Sequence, residues 1–175
     1  MIISVDELKQ YIEVGLNDKV LESELLALES SIRKYTNNNF QNVYFRYKVN
    51  ASNSKLILND SKFKVGDTIQ ISQSKFNDGL YIITNIENGS ITLDNDLYDE
   101  EEILVTKVVY PQDIKMGVVS LMKWILNNRD KVGIQSETIS RHSVTYFNMD
   151  ADNSIIGFPK SLIGFLKPYM KARFD

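Results

Sequence analysis

From about Gln41 to Val109 the apolar residues of this chain tend to recur at every second position, whereas before and after that stretch they recur every three or four. A strand sends successive side chains to opposite faces, and a helix returns to one face after three or four residues, so a single segment cannot satisfy both patterns. The double switch predicts an α+β chain. Residues 1–40 and 110–175 form a discontinuous small helical bundle of about four helices. Residues 41–109 form an inserted small β-barrel, and the chain crosses between the two at Phe40–Gln41 and Val109–Pro111.

The helical segments carry their own start and stop signals. Ser4 can cap a first helix, with Glu7 completing a capping box, and Val5, Leu8, Tyr11 and Ile12 supply its apolar stripe. After a Gly15–Asp18 turn, Leu21, Leu25, Leu28, Ile32 and Tyr35 are spaced 4, 3, 4 and 3, which predicts a core-facing helix from about Lys19 to Thr36. Asn37-Asn38-Asn39 ends it, because asparagine tolerates left-handed backbone, and Phe40 is expected to fold back onto the core. Pro111 suits the first turn of a third helix, where its missing N–H costs nothing. Ile114, Val118, Leu121, Met122 and Ile125 form that helix's stripe, and Gly117 leaves room for a close neighbour. Trp124 fits either a core position or an interface anchor. Residues 134–147 are polar and rich in Ser and Thr, which predicts an extended loop or a protruding hairpin, with Asp150–Ser154 as its return. Pro159 starts a last helix bearing Leu162, Ile163, Phe165, Leu166 and Tyr169, and Pro168 should break or kink it.

In the middle segment, β-forming runs at Val43–Val49, Lys55–Leu58, Val65–Ser72, Leu80–Ile86, Ser90–Leu93 and Ile103–Val109 are separated by turn residues. Asn88-Gly89 is the strongest hairpin signal. Five or six short strands with tight turns imply a closed or nearly closed barrel.

With 43% apolar and 25% charged residues, the 175-residue chain can form a core without staples. It has no cysteine, which excludes disulfide and thiolate chemistry, and with one histidine it offers too few soft ligands for a zinc site. No apolar run nears the ~20 residues that span a bilayer, and no signal-peptide pattern opens the chain, so a soluble protein made in a cytoplasm is expected. The net charge of −3 sits in residues 42–108, with ten acids and seven bases, while the remainder holds thirteen of each. That argues against a strong, non-specific duplex binder. Tyr44, Phe45, Tyr47, Phe63, Phe76 and Tyr81 could stack single-stranded bases, yet they lie in a net-acidic segment without a basic stripe. Asp94, Asp96, Asp99 and Glu100–Glu102 cluster without the spacing of a calcium loop and read as a solvated turn. His142, with Ser140, Ser143 and Asp150 nearby in sequence, lacks the converging geometry of a triad, and no nucleophile-elbow motif is present. No catalytic, metal or cofactor residues are expected, and the chain reads as a non-enzyme. Lys160, Lys167, Lys171 and Arg173 give a mildly basic C-terminal end.

The outer segments also carry wording that resembles a known family. Arg33–Phe40 closes the second helix, and Pro111, Gly133-Ile134-x-Ser136-Glu137, Tyr146, Gly157-x-Pro159 and Pro168-Tyr169 follow in order. In this the chain resembles the head-to-tail connector (adaptor) proteins of tailed bacteriophages. The β-segment departs from the minimal family pattern and looks like the insertion seen in larger members. The resemblance implies a structural virion protein at the neck, made in the bacterial host cytoplasm. It would dock as a ring of like copies on the portal after DNA packaging and meet a stopper or tail-completion protein below. DNA would pass through the channel without sequence-specific binding. It further implies that residues 134–147 and the C-terminal tail face the portal or the neighbouring copy. On that resemblance Ile134, Ser136, Glu137, Ile139, Arg141, His142, Tyr146, Tyr169 and Arg173 would be the contact residues, with Ile139, Arg141 and Tyr146 as anchors. The alternatives are another neck or tail-completion protein, or a binding module built on the barrel.

Overall fold

A computed structural model describes residues 1–58, 62–129 and 154–173, and the backbone of 136–139 and 142–145. The elements in chain order are α1 (Val5–Lys9), α2 (Asp18–Thr36), β1 (Gln41–Ser52), β2 (Lys55–Ile57), β3 (Thr68–Ser72), β4 (Gly79–Glu87), β5 (Ser90–Leu93), β6 (Glu100–Val108), α3 (Gln112–Asn128), β7 (Ser136–Ile139), β8 (His142–Thr145), β9 (Ser154–Ile155), β10 (Phe158–Pro159), α4 (Lys160–Ile163) and a 3-10 helix (Gly164–Tyr169). The chain divides into two compact units, Met1–Asn38 with Tyr110–Asp175, and Asn39–Val109.

The expected helical bundle interrupted by a barrel is not what the chain builds. The dominant element is a closed, wholly antiparallel six-stranded barrel in the order β1-β2-β5-β4-β3-β6. Among the described residues only α2 and α3 are helices of several turns, whereas α1 has five residues and α4 has four. Two long helices cannot make a four-helix bundle. The expected first helix stops at Lys9, so Tyr11 and Ile12 lie beyond it. The expected last helix fails at Pro168. Proline has no N–H to donate, and its ring crowds the carbonyl four residues back, so after one α-turn the segment tightens to 3-10 geometry.

The barrel closes around residues that alternate along each strand. Val49 and Ala51, Ile69 and Ile71, Ile91 and Leu93, and Ile103 and Val105 all point inward, joined by Leu56, Phe63, Ile83 and Leu97. Two tight turns supply the reversals. Asn88 and Gly89 both have positive φ, the mirror-image turn whose twist matches a hairpin, and Asn53-Ser54 does the same between β1 and β2. The β1–β6 register slips between Val49 and Ala51, where Glu102 adopts a φ of 56° and its N–H is taken by the Asn50 side chain at 3.0 Å. Such a bulge bends a long strand pair enough to help close a small barrel.

In the other unit, Leu21, Leu25, Leu28 and Ile32 of α2 are buried, as are Ile114, Val118, Leu121 and Met122 of α3. The Ser4 hydroxyl caps α1 by accepting from Glu7 N–H at 3.1 Å. The reciprocal half of the expected capping box is spent elsewhere, because the Glu7 carboxylate pairs with Lys115 at 3.3 Å. Asn37 closes α2 in the left-handed conformation, φ 49°.

Candidate interaction site

The residues expected at an interface lie in the hairpin segment and the C-terminal tail. Ser136–Ile139 pairs antiparallel with His142–Thr145, setting Ser136 opposite Thr145 and Ile139 opposite His142. Ile134, Arg141 and Tyr146 lie outside the described residues, as do the side chains of Ser136, Glu137, Ile139 and His142. His142 therefore has a place in a strand register and no described side-chain geometry.

The tail is described in detail through Arg173, and it is bound to its own unit. Gly117 is the seat: a Cβ there would come within 2.2 Å of the Phe165 ring, so glycine lets the aromatic ring lie directly on α3. The neighbour that Gly117 admits is thus Phe165 of the 3-10 helix. Tyr169 donates its hydroxyl to both Asp113 oxygens at 2.8 and 2.7 Å. That hydrogen bond raises the Tyr169 phenol above its ordinary range. Asn38 Nδ2 donates to the Tyr169 carbonyl at 3.0 Å, Lys171 N–H to the Thr36 carbonyl at 2.8 Å, and Asn37 Nδ2 to the Ala172 carbonyl at 2.8 Å. Arg173 reaches the Lys34 carbonyl at 2.6 Å. The orphan carbonyls at the end of α2 thereby gain partners. Of the expected contact residues, Tyr169 and Arg173 thus fasten the tail, and Arg173 remains exposed.

The same unit holds a buried polar cluster. Glu29, Arg33 and Tyr110 are all under 9% exposed. Tyr110 donates to Glu29 Oε1 at 2.5 Å and accepts from Arg33 Nη1 at 3.2 Å, while the Met1 amine lies 3.4 Å from Glu29 Oε2. Burial pushes the Tyr110 phenol well above its ordinary range, and the adjacent Glu29 carboxylate pushes it further. One sequence signal was available: Glu29 follows Leu25 by four and precedes Ile32 by three, which places it on the buried stripe.

The barrel's acidic stretch serves its own loops. Asp94 accepts from Ile82 N–H at 3.0 Å, Asp96 from the Ser54 hydroxyl at 3.0 Å, and Asp99 from Asn53 N–H at 2.7 Å. Among the described residues no cluster of three or more His, Cys, Asp or Glu is placed to hold a metal ion. The aromatics proposed for base stacking are dispersed. Phe63 is in the core with Tyr47 edge-on at 5.7 Å, Tyr81 donates to the Asn77 carbonyl, and Tyr44 and Phe76 are exposed. Trp124 is half-buried and stacks edge-on with Phe158 at 5.3 Å. A cleft of about 310 Å³ beside α3 is lined by Tyr11, Ile12, Glu13, Lys123, Leu126 and Asn127. Among the described residues no helix is long and apolar enough to cross a membrane.

No protein-family model matches this sequence, and no curated protein matches it.

Proposed function

We propose that this chain is a structural head-to-tail connector of a tailed bacteriophage, which docks on the portal ring after packaging and joins head to tail. Its work is binding and assembly rather than catalysis. What carries the reading is the order of elements in the unit outside the barrel. A short capped helix and a long helix precede the barrel, and a proline-started helix, a hairpin and a short proline-started helix with a fastened tail follow it. That order coincides with the family wording of the same segments.

On this reading the partners are the portal protein, neighbouring copies in a closed ring, and a stopper or tail-completion protein, with DNA passing through the lumen. A repeated heterologous contact closes a ring, and repetition around the ring turns a weak contact into strong attachment. The residues 134–147 make the portal contact, with Ile139, Arg141 and Tyr146 as anchors.

Electron microscopy of the chain mixed with the portal ring encoded near it tests the proposal. Added ring density on the outer end of the portal is the expected result. Clean portal rings at tens-of-micromolar protein would refute it and favour another neck component. Portal attachment that survives alanine at Ile139, Arg141 and Tyr146 together would refute the assigned anchors.

A further inference from the structure

One end of the barrel carries the β1–β2, β3–β4 and β5–β6 connections, and it displays two aromatic rings to solvent. Phe76 is 69% exposed and Tyr98 is 68% exposed, and their rings meet at 5.7 Å between centroids. Single exposed apolar residues are ordinary, but two touching rings form a patch, and aromatic side chains lose little conformational freedom when a partner covers them.

The loops beneath hold the pair in place. Asn77, 1% exposed, grips Tyr98 at both backbone groups, donating to its carbonyl at 2.9 Å and accepting from its N–H at 2.8 Å. The Ser74 hydroxyl accepts from Phe76 N–H at 3.2 Å and from Asn77 N–H at 2.7 Å. Glu100 accepts from the Ser74 hydroxyl, from Lys75 N–H at 2.7 Å and from Asn77 Nδ2 at 3.2 Å. The rings are therefore positioned before any partner arrives, which lowers the ordering cost of binding.

Charge decides what that partner is. Residues 73–78 and 94–101 contain six carboxylates against one lysine. Asp78, Asp96, Asp99 and Glu101 of that set are exposed, and they lie within three residues of Phe76 or Tyr98 in the chain. A duplex, a single strand or an anionic membrane would be repelled. An arginine-bearing protein surface fits both features, since a guanidinium stacks on aromatic faces while its charge is met by the rim.

We infer that the Phe76–Tyr98 end of the barrel is a docking surface for a basic, arginine-bearing segment of another protein. This does not rest on the connector reading. A connector could use the surface to hold a neck or capsid partner, and an unrelated protein could use it equally.

The test is a titration of the full-length ¹⁵N-labelled chain with a (Gly-Arg)₅ peptide, beside (Gly-Lys)₅ and (Gly-Glu)₅. Expected are shifts confined to the amides of residues 74–78 and 96–101 with the arginine peptide, weaker ones with lysine, and none with glutamate. F76S/Y98S, which leaves every carboxylate in place, should weaken the arginine peptide at least tenfold. E101Q should weaken it less and flatten its salt dependence. An unchanged amide spectrum elsewhere shows that the variants are folded. Shifts spread over the surface and unaltered in F76S/Y98S would overturn the inference, as would equal binding of the three peptides or none by the arginine peptide. Self-association of the free chain that F76S/Y98S abolishes would also overturn it, assigning the patch to a second copy.

Discussion

The barrel and the helical unit solve the same problem by opposite means. The barrel's central cluster is apolar, and at one end of it the polar side chains Asn77, Ser54 and Glu100 fasten loop connections. The helical unit places Glu29, Arg33 and Tyr110 inside and then seals α2 with side-chain and backbone bonds from the tail. A closed sheet satisfies its own backbone, so its interior can be dry. The ends of α2 and α3 leave backbone groups to be satisfied, and at the end of α2 the tail and nearby side chains supply partners.

The largest expected effect strikes the helical unit. Glu29→Ala should cost about 3–5 kcal/mol, because it leaves the Tyr110 hydroxyl and the Arg33 charge buried with poorer compensation. Urea unfolding followed by Trp124 fluorescence measures it, and a loss below about 1 kcal/mol would mean the cluster is not what holds that unit together. Ile103→Ala, at a site with 0% exposure, tests the dry interior and should cost roughly 2–5 kcal/mol, read from the β-sheet signal in circular dichroism. If the two units unfold independently, each variant should move only its own transition. Gly117→Ala should cost about 1–3 kcal/mol through the clash with Phe165, and Phe165→Leu in the same chain should restore part of it.

The smallest effects separate the units by pH. Tyr110 has its phenol raised in the folded state, first by burial and then by Glu29. A raised value means that its contribution is complete below the ordinary tyrosine range and is lost as pH rises through the folded value. The helical unit should therefore soften in alkali, and Tyr110→Phe should reduce that slope, leaving the part that Tyr169 contributes. Glu100 is lowered, first by the Ser74 hydroxyl and then by Lys75 N–H. A lowered value makes its contribution complete above the ordinary carboxylate range and lost as pH falls through the folded value. Protection of the amides of residues 74–78, taken relative to their intrinsic exchange rate at each pH, should fall in acid, and Glu100→Gln should flatten that response.

Much of the barrel was legible because its signals are local. Alternation marks the inward residues, and Asn88-Gly89 marks a turn that its own φ preferences impose. The Asn53-Ser54 turn carries no comparable local signal, since its second residue is not glycine. Its partners, Asp96, Leu97 and Asp99, lie more than forty residues away. The acidic run reads as one solvated cluster in sequence, and in space Asp94 accepts from Ile82, Asp96 and Asp99 accept from the Asn53-Ser54 turn, and Glu100 accepts from Ser74 and Lys75. Helical periodicity near Tyr11 and at Phe165–Tyr169 suggested more helix than forms, because a stripe of apolar residues records burial and not the backbone that achieves it.

Of the expected contact residues, only Tyr169 and Arg173 have described side chains, and their partners, Asp113 and the Lys34 carbonyl, are distant in sequence. The sequence by itself determined where the period changes, where α2 and α3 run and which residues face inward, since each depends on neighbours within a few positions. Only the tertiary structure decided that the barrel closes, that Gly117 seats Phe165, that Glu29 meets Tyr110 and that Phe76 touches Tyr98. Those pairings are separated by tens of residues, and their geometry is set by register and packing, which no local preference encodes.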